Sequence, residues 1–191
     1  MHVKVIGCGG IGSYLAEHID RLIELDQIDN NKMNFTFYDD DDVEMKNMLY
    51  QNFITADIDS LKTEALMLRY YNVIFEEKRL TTNDLENCGL VVLCADNNKI
   101  RKQAFEAWTK WKIPFIDSRA NGRAIGIFSS DTENYLNTIS DDEKSSSCQN
   151  PFQLAKKEIE YGNVVIAAAL AQVILNYSRN GNLPPDFMVN L

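Results

Sequence analysis

The order of apolar and polar positions divides the chain into alternating strands and helices. Residues 2–6 are a short apolar run leading straight into glycines. Ile11, Tyr14, Leu15, His18, Leu22 and Ile23 follow at spacings of three and four, which predicts an amphipathic helix. His18 lies on its apolar face and reads as a packed histidine. Residues 34–38 predict a second strand, ending in Asp39-Asp40-Asp41-Asp42. A stretch of mixed character runs to Asp57. Ile58, Leu61, Ala65 and Leu68 then mark a helix, with Asp59 or Ser60 as its cap. Residues 72–75 predict a third strand and the apolar run Leu90 to Leu93 a fourth. Ile100, Ala104, Trp108 and Trp111 trace a helix whose tryptophans pack into the core, and strands follow at 114–117 and 125–128.

Strands that are apolar on both faces and alternate with helices predict an α/β fold. It is Rossmann-like, a mostly parallel sheet with helices on both faces. Ser129 to Asn150 breaks the pattern with five acids and the run Ser145 to Ser147, and reads as a long mobile loop. Asn150-Pro151 carries a helix start, and the tail from Gly181, with Pro184-Pro185, ends the fold. No internal repeat is visible, so residues 1–191 are read as a single domain with a mobile loop at 129–150.

Charge narrows the partners. The chain has 19 basic and 28 acidic residues, a net −9, which argues against nucleic acid and against an anionic membrane surface. Val164 to Leu175 is the longest apolar stretch, interrupted by Gln172, and is shorter than the roughly 20 residues of a membrane span. The apolar run at the N-terminus is too short for a signal peptide. Cys8, Cys88, Cys94 and Cys148 form no C-x-x-C pair. Reduced thiols in the cytoplasm are the expectation, and no zinc site is expected.

Gly7-x-Gly9-x-x-Gly12, between a strand and a helix, is a nucleotide-binding pattern in its proper setting. Glycines let backbone approach phosphate, and the helix start offers free N–H groups. The motif alone does not choose among NAD, FAD and ATP. Asp39, at the carboxyl end of the second strand, sits where ribose hydroxyls arrive in such folds. Asp96-Asn97 follows the fourth strand at the same end of the sheet. Asp96 suits Mg²⁺ against phosphates, or equally the cap of a helix from Asn98. Lys62, in the first turn of its helix, opposes the helix dipole, which favours a phosphate-facing role. No Tyr is followed by Lys four residues on, and both histidines lie within the first eighteen residues. Those features argue against nicotinamide chemistry.

Together these residues resemble the ThiF/MoeB family, related to the ubiquitin-activating enzymes. The resemblance rests on Gly7 to Ser13, on the block Asp39 to Gln51, on Lys62, and on Cys94-Ala95-Asp96-Asn97 with Arg101, in that order. The block looks like the family's D-x-D-x-V-x-x-S-N-L-x-R-Q signature. The similarity covers residues 3–128 well and the final helix loosely. It implies ATP-dependent adenylation, with Mg²⁺, of the C-terminal carboxylate of a small ubiquitin-like or sulfur-carrier protein, by a homodimer or heteromer. By position, Gly7, Gly9, Gly10 and Gly12 would cradle the nucleotide, Asp39 would hold ribose and Asp41 support it. Asn47 and Lys62 would contact phosphates, Asp96 would bind the metal, and Asn97 and Arg101 would complete the site.

Two departures qualify this. The signature Arg falls at Tyr50, which cannot clamp phosphate as a guanidinium does, leaving Arg101, Arg119, Arg123 or a partner to compensate. The family's zinc-binding Cys pairs are missing. Relatives often carry a reactive Cys in the loop that here holds Cys148, so Cys148 is a candidate nucleophile for a transfer step. Its acidic neighbours Asp141, Asp142 and Glu143 leave an ordinary exposed thiol equally open. The alternatives to adenylation are a catalytically weak nucleotide-binding subunit of a heteromeric complex and, less favoured, an NAD(P)-dependent oxidoreductase.

Overall fold

The computed structural model describes residues 1–140, 149, 155–156 and 158–191. Its strands are β1 (His2–Ile6), β2 (Asn34–Asp39), β3 (Ile74–Glu77), β4 (Leu90–Leu93), β5 (Phe115–Asn121), β6 (Ala124–Ser129) and β7 (Phe187–Asn190). The helices are α1 (Gly12–Glu24), α2 (Lys62–Met67), α3 (Asn98–Trp111) and α4 (Gly162–Asn180). One sheet holds all seven strands in the order β3-β2-β1-β4-β5-β6-β7. Pairing is parallel from β3 to β5 and antiparallel across β5, β6 and β7.

Alternation along the strands separates two cores. Val3, Val5, Phe35, Phe37 and Val92 point to the side covered by α1, α2 and α4. Ile6, Tyr38, Val91, Leu93 and Phe115 point to the side covered by α3. Trp108 and Trp111 pack partly buried against that second core, and His18 is half-buried with a buried Nε2 that finds no hydrogen-bond partner among the described residues. No helix among the described residues is long and apolar enough to cross a membrane.

Several boundaries move from their sequence-based positions. The third strand starts at Ile74 rather than 72, because the Asn72 N–H is spent on the Asp20 carboxylate. α2 begins at Lys62 with Leu61 at the cap position, and no side chain caps it. Asp59 takes a left-handed φ of 67° and the Ser60 carbonyl accepts from Val43 N–H, so neither serves as the expected cap. The long apolar helix starts at Gly162; the predicted start at Asn150-Pro151 lies outside the described residues. The tail does not simply end the fold. Beyond Pro184-Pro185, Phe187–Asn190 adds β7 to the sheet edge, Phe187 packing on the first core. Of the stretch 129–150, Tyr135–Thr138 forms a short 3-10 turn with Tyr135 fully buried.

Candidate nucleotide site

The chain runs β1, β2, β3 outward in one direction, then returns to place β4 on the other side of β1. The switch in direction opens a crevice beyond the carboxyl ends of β1 and β4, the usual ligand position in open α/β sheets. The crevice measures about 290 Å³. Gly7, Gly9 and Gly10 line it from β1, Asp39 to Asp41 from β2, and Asp96 and Asn97 from β4. Lys62 and Tyr50 also face it, and Lys78 to Thr81 form a wall beyond β3.

The glycines are dictated by close approach. Gly7 takes φ 99° while its N–H bonds the Tyr38 carbonyl at 2.8 Å. A Cβ on Gly12 would fall 1.8 Å from the Gly7 oxygen, which forces glycine there. A Cβ on Gly9 would meet nothing, so its backbone is bare towards open space. Among the described residues, the N–H groups of Gly9, Gly10, Ile11 and Gly12 find no acceptor. Four unpaired donors at the start of a 13-residue helix make a cradle for an anion.

Asp39 is fixed beside that cradle. Its carboxylate accepts from Cys8 N–H at 2.6 Å and Asp41 N–H at 2.9 Å. Lys62 Nζ lies 3.9 Å from it and donates to Asp41 at 2.8 Å. Burial pushes the Asp39 carboxyl above its ordinary range, against the pull of Lys62 and the two N–H groups. Burial opposes the charge of Lys62 as well, but Asp39 and Asp41 outweigh it and lift its pKa. Lys62 therefore carries a firmly held positive charge at the crevice wall. Cys8 is buried, and desolvation followed by the Asp39 charge raises its thiol pKa well above the ordinary value, so it packs and does not react.

Asn97, not Asp96, caps α3: its side-chain oxygen accepts from Lys99 and Ile100 N–H. Asp96 is thereby left exposed on the crevice, with no partner among the described residues. A hard, unengaged carboxylate beside a phosphate cradle fits Mg²⁺. Asp39, Asp40 and Asp41 bring carboxylate oxygens within 4.8 Å of one another, again oxygen donors only.

Other expected site residues sit elsewhere. Asn47 is buried and turned inward, its oxygen accepting from Glu44 N–H in a reciprocal capping box. Arg101 does not line the crevice. Its guanidinium is buried on Asp117 at 3.1 Å and on the Ala95 carbonyl at 2.8 Å. Arg119 bonds the same Asp117, and Arg123 holds the Leu191 carbonyl at 2.5 Å, so none of these three arginines faces the crevice beside Tyr50. Cys148 lies outside the described residues.

Sequence reasoning did not find Asn163. It is buried in the first turn of α4, and its Nδ2 donates to the carbonyls of Gly10 and Tyr50 at 2.9 and 2.6 Å. The only signal was a polar residue at the mouth of an apolar run. Arg79, on Asp40 at 3.0 Å, also went unnoticed, because nothing in its local sequence marks it as a crevice residue.

The chain belongs to the ThiF family, whose model matches residues 1–187. Among curated proteins none matches. Solved structures share the fold at low identity. E. coli MccB with MccA-N7isoASN matches at TM-score 0.71 and 16% identity, over 100% of this chain and 61% of MccB. PaaA matches at TM-score 0.67 and 16% identity, over 100% of this chain and 60% of its own. E. coli tRNA N6-threonylcarbamoyladenosine dehydratase, TcdA, matches at 0.66 and 15%, over 94% of this chain and 86% of TcdA. The chain thus spans about three fifths of MccB and PaaA.

Proposed function

We propose that the protein adenylates a carboxylate at the expense of ATP, the acceptor being the C-terminus of a small carrier protein or peptide. One observation carries the reading: the switch-point crevice brings Gly9 and Gly10, which open a run of four unpaired N–H groups, together with Lys62, Asp39 and an Asp96 unengaged among the described residues. Membership of the ThiF family supports it, as do the fold-level likenesses to MccB, which has been solved with ATP and with MccA.

In this reading Asp39 accepts hydrogen bonds from the ribose hydroxyls and the glycine corner takes the phosphates. Lys62 leaves Asp41 for the phosphates, offsetting charge that builds up as the α-phosphorus is attacked. The acceptor's carboxylate oxygen forms a bond to the α-phosphorus. The bond from that phosphorus to the bridging oxygen breaks, and pyrophosphate leaves with the electron pair. An acyl-adenylate remains, and no protein nucleophile is required. Mg²⁺ held by Asp96 would supply further neutralisation of the phosphate charge.

Asp96→Ala is expected to abolish ATP–pyrophosphate exchange supported by a carboxylate-bearing carrier, with its circular dichroism unchanged because Asp96 is exposed and unpaired. Exchange at the wild-type rate would remove Asp96 from the reaction. Tyr50 favours a second reading. It lines the crevice where the family signature has Arg, so the chain would bind nucleotide and rely on another subunit for a guanidinium. Exchange that appears only after a second protein is added would select it.

A further inference from the structure

From the bonds that cross the base of the crevice, we infer that Asn163 is a positioning residue that sets the two walls between which the phosphates enter. This rests on the nucleotide reading above. Gly10 and Tyr50 both line the crevice, 40 positions apart in sequence, and neither backbone bonds the other. What joins them is one carboxamide. Its Nδ2 has two protons and donates one to each carbonyl, at 2.9 and 2.6 Å. Its oxygen accepts from Gln149 Nε2 at 3.2 Å. Gln149 is itself buried, and its amide pairs with the Glu160 backbone in both directions, at 2.6 and 3.0 Å. The Asn163 side chain therefore has no slack.

Neither has its backbone. A Cβ on Gly162 would fall 2.0 Å from the Gly122 oxygen, so the start of α4 is wedged against the β5–β6 turn. Asn163 is anchored to the sheet while it holds the loop. In a trans peptide the C=O and the N–H point in opposite directions. Pulling the Gly10 carbonyl onto Asn163 turns the Ile11 N–H away from α4, and Ile11 is one of the four residues whose N–H has no acceptor. The same amide fixes the wall that carries Tyr50. Asn163 touches no phosphate in this arrangement; it acts through the backbone that does.

Asparagine is the side chain that does this. Aspartate has the same shape but cannot donate, and would set a carboxylate against two carbonyl oxygens. Asn163→Asp is expected to weaken ATP binding by about tenfold or more, from two lost hydrogen bonds at the loop. In exchange assays the KM for ATP should rise while the KM for the carrier stays put. Asn163→Ser, too short to span both carbonyls, should show the same split and guards against a failure of the aspartate variant to fold. Ile166→Ala, buried in α4 without a crevice contact, controls for destabilisation: its melting temperature should fall with ATP affinity intact. Wild-type affinity in a folded Asn163→Ser, or equal weakening in Ile166→Ala, would overturn the inference. If the wild type itself binds no ATP, the nucleotide reading falls instead. Amide exchange then decides the positioning claim: the hydrogen-bonded amides of Ser13, Leu15, Tyr50 and Gln51 must exchange faster in Asn163→Ser and not in Ile166→Ala.

Discussion

Two clusters of opposite charge lie at the carboxyl end of the sheet, and they are finished differently. Around Asp117 everything is spent. The carboxylate is fully buried and accepts from Arg101, Arg119 and the Tyr135 hydroxyl. Arg119 also bonds the Thr138 carbonyl and hydroxyl and lies over the Phe128 ring at 4.3 Å. Around Asp39 the bonding is incomplete. Lys62 shares itself between Asp39 and an Asp41 that is 60% exposed, and the neighbouring N–H groups have no acceptor among the described residues. A saturated cluster holds the chain; an unsaturated one keeps hydrogen-bonding capacity unspent. Asp117 is held by two arginine forks, whereas the charge beside Asp39 is the compact ammonium of Lys62.

The largest effect expected is in the saturated cluster. Arg101→Ala leaves Asp117 buried with one guanidinium fewer and should cost about 3–5 kcal/mol in urea unfolding. Lys62→Ala should cost no more than about 1–2 kcal/mol, since Asp39 keeps two N–H donors and Asp41 is exposed. ATP binding should respond the other way, falling sharply in Lys62→Ala and little in a still-folded Arg101→Ala. Equal stability losses would erase the contrast between the two clusters.

A smaller effect sharpens it through pH. Burial holds the Asp39 carboxyl above its ordinary 3.8. The folded state then keeps this proton more tightly than the unfolded chain does. Its contribution to stability is complete below 3.8 and is lost as pH rises through the raised value. Asp39→Asn should flatten that fall in unfolding measurements across the acid range, and should weaken ATP by removing the ribose acceptor. An unaltered slope would mean that Asp39 is better solvated than its surroundings imply.

Much of the fold was legible because its strands carry their own pattern. Leu90 to Leu93 is apolar at every position and is bounded by Gly89 and Ala95-Asp96, and it forms β4 as read. β7 escaped notice because Met188 and Val189 are exposed on an edge strand, where neither burial nor alternation marks a strand. The candidate site was legible where one residue meets nearby backbone, as at Gly12, although the cap of α3 expected at Asp96 falls one residue on, at Asn97. It was illegible where partners are far apart in sequence. Nothing near Arg101 announces Asp117, and nothing near Asn163 announces Gly10 and Tyr50.

The smallest expected effect concerns the thiols, and it separates activation from transfer. Cys8, Cys88 and Cys94 are all buried. Desolvation, the largest influence on both, raises the pKa of Cys8 and of Cys88. A thiol that stays protonated and out of reach is a poor nucleophile. Cys148, which the resemblance to the ThiF/MoeB family offers as a nucleophile, lies outside the described residues, and we propose it for a covalent step after activation. Its sulfur would attack the acyl carbon of the adenylate and AMP would leave, giving a thioester. Adenylation precedes that attack, so Cys148→Ser should leave ATP–pyrophosphate exchange unchanged. Incubation with ATP and a carrier, followed by non-reducing electrophoresis, should show a thiol-labile adduct that Cys148→Ser loses and Cys88→Ser keeps. An adduct that survives in Cys148→Ser would assign the step to a thiol the fold now keeps covered. Exchange without any adduct would mean that the acyl-adenylate is handed directly to its acceptor.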